Sequence, residues 1–258
     1  MTEVQISKHY NDEVTIKFYP VKHAYQLEGQ KNYLVGVTTA TGMVDKSGPL
    51  LIWSERLTRE FLLKAIEAGK QIDEHLIEEA VKQHCIKKEA AATIGTMVHE
   101  WAGQYILGNK PATPEDPNVK MGVMAFLRWI NENGVKFVES EKVVYSRKYN
   151  YVGTMDVIFT MASEDHKIMH VGDFKTASGI YMEMVMQTSA YQHAYTEEFG
   201  TEFGDKYILR FDKTTGQFES KCFPKEEHES HFDGFIACLQ LKELNKVWEK
   251  EHGYYSKK

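Results

Sequence analysis

Between residues 13 and 38 apolar and polar positions alternate, in VTIKFYP, HAYQL and YLVGVTT. This period-two pattern predicts strands, with a turn at Gly29-Gln30-Lys31-Asn32. From about Gly48 to Lys110 the spacing changes to three and four, as in LLIWSERLTREFLLKAIEAG, and predicts helix. Thr93-Ile94-Gly95-Thr96 leads into a further helix, MVHEWAGQYILG, which Gly108 terminates. Pro111, Pro114 and Pro117 mark a loop before the amphipathic VKMGVMAFLRWINENG, stopped at Asn133-Gly134. A β meander follows in KFVESEKVVYS, YVGTMDVIFTMA and KIMHVGDFKTA, with turns near Tyr149-Asn150 and Ser163-Glu164-Asp165. MEMVMQTSAYQHAYTEEFG reads as helix. KYILRFDK and GQFESKCFP read as a hairpin turning at Thr214-Thr215-Gly216, and the chain is helical from about Lys225 to Glu251. This order predicts an α/β fold on a central mixed sheet flanked by helices, preceded by an N-terminal β-hairpin and helical segment.

There is no internal repeat, low-complexity tract or interdomain linker, so one domain is expected. Residues 1–92 would form the hairpin and a helical cover, residues 93–224 the core, and residues 225–258 a C-terminal helix. The 42% hydrophobic and 12% aromatic content suits a globular chain with a sizeable core. No apolar run is long enough to span a bilayer, and MTEVQISKHYNDEV lacks a signal-peptide apolar region. The expectation is a soluble cytoplasmic protein without a membrane partner. Cys85, Cys222 and Cys238 form no CxxC pair, which argues against a zinc site or iron–sulfur cluster built from cysteines. A net charge of −6 argues against coating nucleic acid by bulk electrostatics. An enzyme whose active-site acids are neutralised by metal is still compatible with it.

The meander carries the candidate chemistry. Gly153-Thr154-Met155-Asp156 sits in one strand and Gly172-Asp173-Phe174-Lys175-Thr176 in the next. Asp173 and Lys175 are two apart and share a strand face. If the two strands pair antiparallel, Asp156 comes alongside Asp173. Two carboxylates and an ammonium then converge, which suits a hard cation such as Mg²⁺ acting on a phosphodiester. The same Asp-x-Lys spacing also arises from an inward ion pair with no catalytic role. Gln187 and Tyr191, four apart, share a helix face. His99 lies one turn into its helix. Glu141 is a further acid in the first meander strand, with Glu139 two residues earlier as its competitor.

The order of these features resembles the RecB-like branch of the PD-(D/E)xK nuclease superfamily. The matching residues are GTMVH ending at His99, SEKVVYS with Glu141, VGTMD ending at Asp156, GDFKT with Asp173 and Lys175, and QTSAY from Gln187 to Tyr191. A weaker echo of phage-type members lies in HAYQLEG, VTTATGMVDK and Trp53. The resemblance implies a restriction-endonuclease-like core. It implies that His99, Asp156, Asp173 and the Phe174 carbonyl hold one or two divalent cations, Mg²⁺ or Mn²⁺. Lys175 would then position or activate a water, Gln187 and Tyr191 would steady the lysine or the DNA backbone, and Glu141 would be auxiliary.

What is missing narrows the kind of member. GTEFGDKY only mimics the glycine spacing of an ATP-binding loop, so no ATP is expected. Three cysteines cannot supply the four-cysteine iron–sulfur cluster of some relatives. The expectation is a stand-alone DNA exonuclease, of the phage recombination or mitochondrial genome maintenance kind, serving recombination or repair. Its setting would be the cytoplasm of a bacterial host, with the gene host- or phage-encoded. Its partners would be DNA and, by family analogy, a single-strand annealing protein. The alternatives are a structure-selective endonuclease and a nuclease-fold module that only binds DNA or a partner.

Overall fold

The computed structural model describes residues 3–212 and 215–253. The expected strand–helix alternation yields two sheets. β1 (Gln5–His9), β2 (Val14–Tyr19) and β3 (Ala24–Leu27) form a three-stranded antiparallel sheet. The expected hairpin is thus extended by β1, which the polar sequence QISKH conceals.

The second sheet is mixed and six-stranded: β4 (Val35–Gly36), β5 (Lys136–Ser146), β6 (Tyr151–Thr160), β7 (Met169–Thr176), β8 (Phe203–Phe211) and β9 (Phe218–Phe223). β5, β6 and β7 form the predicted antiparallel meander. β7 runs parallel to β8, with a helix as the crossover, and β8 returns antiparallel as β9. Of the expected β8–β9 turn residues, Thr214 lies outside the described residues. Thr215 donates its backbone N–H to Asp212 Oδ1, and Gly216 to the Asp212 carbonyl.

YLVGVTT is where local propensity fails. Only Val35–Gly36 pairs, parallel to Tyr151–Val152, and Val37–Thr41 then forms the short helix α1. Its β-branched residues favour strand, but Val37 and Ala40 are buried against the sheet, and this packing outweighs propensity. α2 (Ser47–Glu67) and α3 (Glu74–Ile106) form a long antiparallel pair. α3 begins at Asp73, whose side chain accepts from the Leu76 N–H. It runs unbroken through Thr93–Thr96, where a lead-in was expected, and across the 92/93 boundary. Gly95 allows close contact with the end of β7: a Cβ there would lie 2.6 Å from Thr176 Oγ1.

α4 (Pro117–Asn133) starts on Asp116, which caps Asn118 and Val119, and ends at Gly134 with φ 55°. α5 (Met182–Phe199) is the β7–β8 crossover and ends at Gly200 with φ 67°. α6 (His228–His252) closes the described chain.

Helices cover both faces of the mixed sheet. On one face Met155, Ile158 and Val171 pack with Met186, Ala190 and Phe235. On the other, Val157, Phe159, Phe174 and Leu209 pack with Val98, Val123 and Phe126. Val157, Ile158 and Phe159 thus alternate between the two cores, as strand geometry demands. Among the described residues no helix is long and apolar enough to cross a membrane.

Candidate active site at a fork in the sheet

β6 is paired with β5 along nearly its whole length. On its other edge it pairs with β4 at Tyr151–Val152 and with β7 at Val157–Phe159. Between these pairings, residues 153–156 have a strand partner on one side only. α1 opens this gap, because the chain leaves β4 after Gly36. β7 widens it, since Asp173 to Thr176 pair with β8 alone. The sheet forks where the two acid motifs stand. The expected antiparallel pairing of the two motifs is present, with Val157 opposite Gly172. Its last rung lies immediately before Asp156 and Asp173. Asp156 Oδ2 accepts the Phe174 backbone N–H at 2.7 Å, so the carboxylate takes up a backbone donor exposed by the fork.

Both sheet faces reach this gap. Asp173 and Lys175 project toward α5 and form an ion pair, while Phe174 between them points into the α3–α4 core. Gln187 donates from Nε2 to Asp173 Oδ1 at 3.3 Å and to the Tyr191 hydroxyl at 2.8 Å. The shared helical face thus anchors the second acid. Gly153 makes room for the Tyr191 ring, since a Cβ there would lie 2.5 Å from it. His99 arrives from α3, its ring edge-on to Phe174, within hydrogen-bonding reach of the Phe174 carbonyl.

The strand register separates the two acids of β5. Ser140 faces Val157 and Lys142 faces Met155, which puts Glu141 across from Asp156. Glu139 was expected to share that face. A bulge precedes it and Glu141 adopts φ 51°, so the alternation breaks. Glu139 instead pairs with Lys142, while Glu141 lines the same cleft as Asp156 and His99.

The electrostatics are those of acids held away from water. Burial pushes the Asp156 carboxyl up to about 6, against the opposing pull of Lys175. Burial likewise raises Asp173 to about 7; Lys175 opposes the rise and Asp156 adds to it. Burial lowers the Lys175 ammonium, but Asp173 and Asp156 raise it further, and the net direction is up. That direction favours the charged ammonium. Burial and Lys175 lower His99, which favours the neutral imidazole.

His99, Glu141, Asp156, Gln187 and Tyr191 line one cleft of about 570 Å³. Asp173 is fully buried and does not reach the cleft wall; Lys175 is partly exposed. By chemistry, two carboxyls, a neutral imidazole and a backbone carbonyl are donors of the kind Mg²⁺ or Mn²⁺ takes. Among the described residues no three His, Cys, Asp or Glu side chains stand together as an ion-holding cluster, and Asp173 is turned to Lys175 and Gln187.

Sequence reasoning missed the far wall of this cleft. Gln5, Phe18, Pro20, His23 and Tyr25 of the N-terminal sheet line it, and the Tyr25 hydroxyl meets Thr154 Oγ1 at 2.7 Å. The signals were the alternation of VTIKFYP and HAYQL, which predicts strands but not their neighbour, and the weak family echo in HAYQLEG.

No family model and no curated protein matches the chain. Among solved structures it is similar to a Eubacterium rectale protein provisionally named an exonuclease, at 8% identity over 58% of this chain and 68% of the other, with a TM-score of 0.39. It is similar to the protein SSO0001 at 12% identity over 88% and 85%, TM-score 0.38. An alkaline exonuclease from Laribacter hongkongensis matches at 13% identity over 60% and 84%, TM-score 0.30. At these scores the likenesses carry no argument about what this chain does.

Proposed function

We propose that the fork is the active site of a Mg²⁺- or Mn²⁺-dependent deoxyribonuclease of the PD-(D/E)xK superfamily, RecB-like branch, acting as an exonuclease. The observation that carries this reading is the meeting, at one gap in the sheet, of Asp156, Asp173, Lys175, Gln187, Tyr191 and His99. Asp156 and Asp173, with His99 and the Phe174 carbonyl, would hold the cation. When bound, the cation supplies Lewis-acid polarisation of the phosphate and acidification of a water.

The protein's own contributions follow from the geometry. Gln187 and the Phe174 N–H each hold one of the two carboxylates in a defined orientation. The Lys175 ammonium opposes negative charge growing on the phosphate and orients the attacking water. Glu141 adds a third acid at the rim of the cleft. A role at DNA ends in recombination or repair, with a single-strand annealing protein as partner, rests on the sequence resemblance alone.

The test uses end-labelled single- and double-stranded linear DNA and a closed circle, in Mg²⁺, Mn²⁺ and EDTA. The linear strands should be degraded in metal only. Asp173→Asn and Lys175→Gln, close in shape to the native residues, should each slow cleavage by about 10²- to 10⁴-fold without loss of fold by circular dichroism. Full activity in either variant overturns the mechanism. Cutting of the closed circle would replace exonuclease by endonuclease.

A further inference from the structure

The wall opposite the acids has a chemistry of its own. Gln5, Phe18 and Tyr25 occupy one cross-strand row, for Gln5 pairs with Phe18 and Phe18 with Tyr25. All three line the cleft that contains Asp156. The Phe18 and Tyr25 rings lie 4.6 Å apart at 31°, and His23 stands edge-on to Phe18 at 5.5 Å. His23 is exposed and holds φ 47°, a left-handed conformation that histidine tolerates better than most side chains. Tyr25 is tied to Thr154, two residues before Asp156, which fixes the spacing between this wall and the acids. Among the described residues lining the cleft there is no lysine or arginine. Attraction by phosphate charge is therefore weak there, and the available energy is that of flat apolar faces.

We propose that this row is a nucleobase-stacking platform. An unpaired base next to the scissile phosphate lies on Phe18, flanked by His23, with the Gln5 amide offered to the base edge. This rests on the hydrolytic reading of the same cleft and deepens it: the substrate enters as a single strand with its base splayed from any helix. A cleft of about 570 Å³ has the size of a small-ligand site and suits a nucleotide, not a duplex. Base–aromatic stacking tolerates every base, so the platform confers strandedness without sequence preference.

The experiment reads binding in EDTA, where hydrolysis plays no part. A fluorescent single-stranded oligonucleotide is compared with one of the same backbone carrying abasic sites, by anisotropy, for the wild type, Phe18→Leu and His23→Asn. Phe18→Leu keeps the apolar bulk and removes the ring, and asparagine tolerates the left-handed backbone. Phe18→Leu should weaken binding of the intact strand by about five- to 150-fold, the span of one lost base–aromatic stack, and leave the abasic strand unchanged. His23→Asn should act in the same direction with a smaller effect. Equal losses for both strands, or none, overturn the platform. Should Phe18→Leu unfold the sheet, His23→Asn decides by the same criterion. Base-dependent binding in a protein that cleaves nothing would keep the platform and overturn the hydrolytic reading. Cleavage without base dependence would do the reverse.

Discussion

Of the places where this molecule buries titratable groups, two carry opposite signs. At the fork, desolvation drives two carboxyls toward their neutral form. Near the start of α6 it acts on bases. Lys206 of β8 is fully buried, and its Nζ has no hydrogen-bond partner. His228 and His231 each bury an Nδ1 that is likewise without one. Burial lowers Lys206, and burial together with Lys206 pushes His228 down to about 4. The His228 and His193 rings stack on Phe232 as neutral aromatic surfaces. Both regions meet the same penalty for charge in a poorly solvated setting. The histidines relieve it by staying neutral, and burial pulls Lys206 in the same direction. Of the acids, Asp156 lines a cleft, where an incoming cation could relieve it instead.

The largest expected effect sharpens this contrast. Asp156 and Asp173 titrate above their ordinary 3.8. The folded protein therefore holds protons that the unfolded chain has released. Their contribution to stability is present below about pH 4 and lost as pH rises through about 6 to 7. Mn²⁺ at about a hundred times its dissociation constant should raise Tm by about 5–10 °C at pH 8 and far less at pH 5. Asp173→Asn should raise the metal-free Tm at pH 8 and blunt the response to Mn²⁺. Calorimetry at both pH values checks this, and a shift independent of pH would break the comparison.

Next in size is Lys206→Met. Removing a buried ammonium that lacks a hydrogen bond should stabilise the protein by about 1–3 kcal/mol in urea unfolding. A loss of stability would show that the ammonium is compensated by its acidic neighbours Glu227 and Asp205.

The smallest effect concerns His228, whose folded-state value lies below the ordinary 6.5. Its contribution is present above pH 6.5 and lost as pH falls through about 4. His228→Phe should flatten that acid limb of the Tm–pH profile and leave neutral pH nearly unchanged. The two regions thus tilt the profile in opposite directions, and the variants separate the slopes.

What the chain discloses before folding divides along the same lines. Spacings within one element were legible: Asp173 with Lys175 on a strand face, Gln187 with Tyr191 on a helix face, and glycine at the ends of α4 and α5. The pairing of the two acid motifs followed from their order in a meander. Features that depend on a second element were not legible. α1 is helical against its own β-branched composition because Val37 packs against β6. Glu139 and Glu141 part company at a left-handed residue that no alternation rule foresees. The fork exists because β4 stops after two residues, a matter of packing. Lys206, His228 and His231 come from separate elements and leave no common trace in the sequence.

The bare backbone at Gly95 has a mechanical consequence. It lets α3 seat closely against Thr176, and His99 lies four residues beyond. At 1.5 Å per residue the arm toward Glu74 is about 30 Å and the arm to His99 about 6 Å. Val98 and Ala102, on either side of His99, are buried in the core beneath the sheet, so the imidazole is carried on the clamped end of the helix, while the long arm packs on α2 instead.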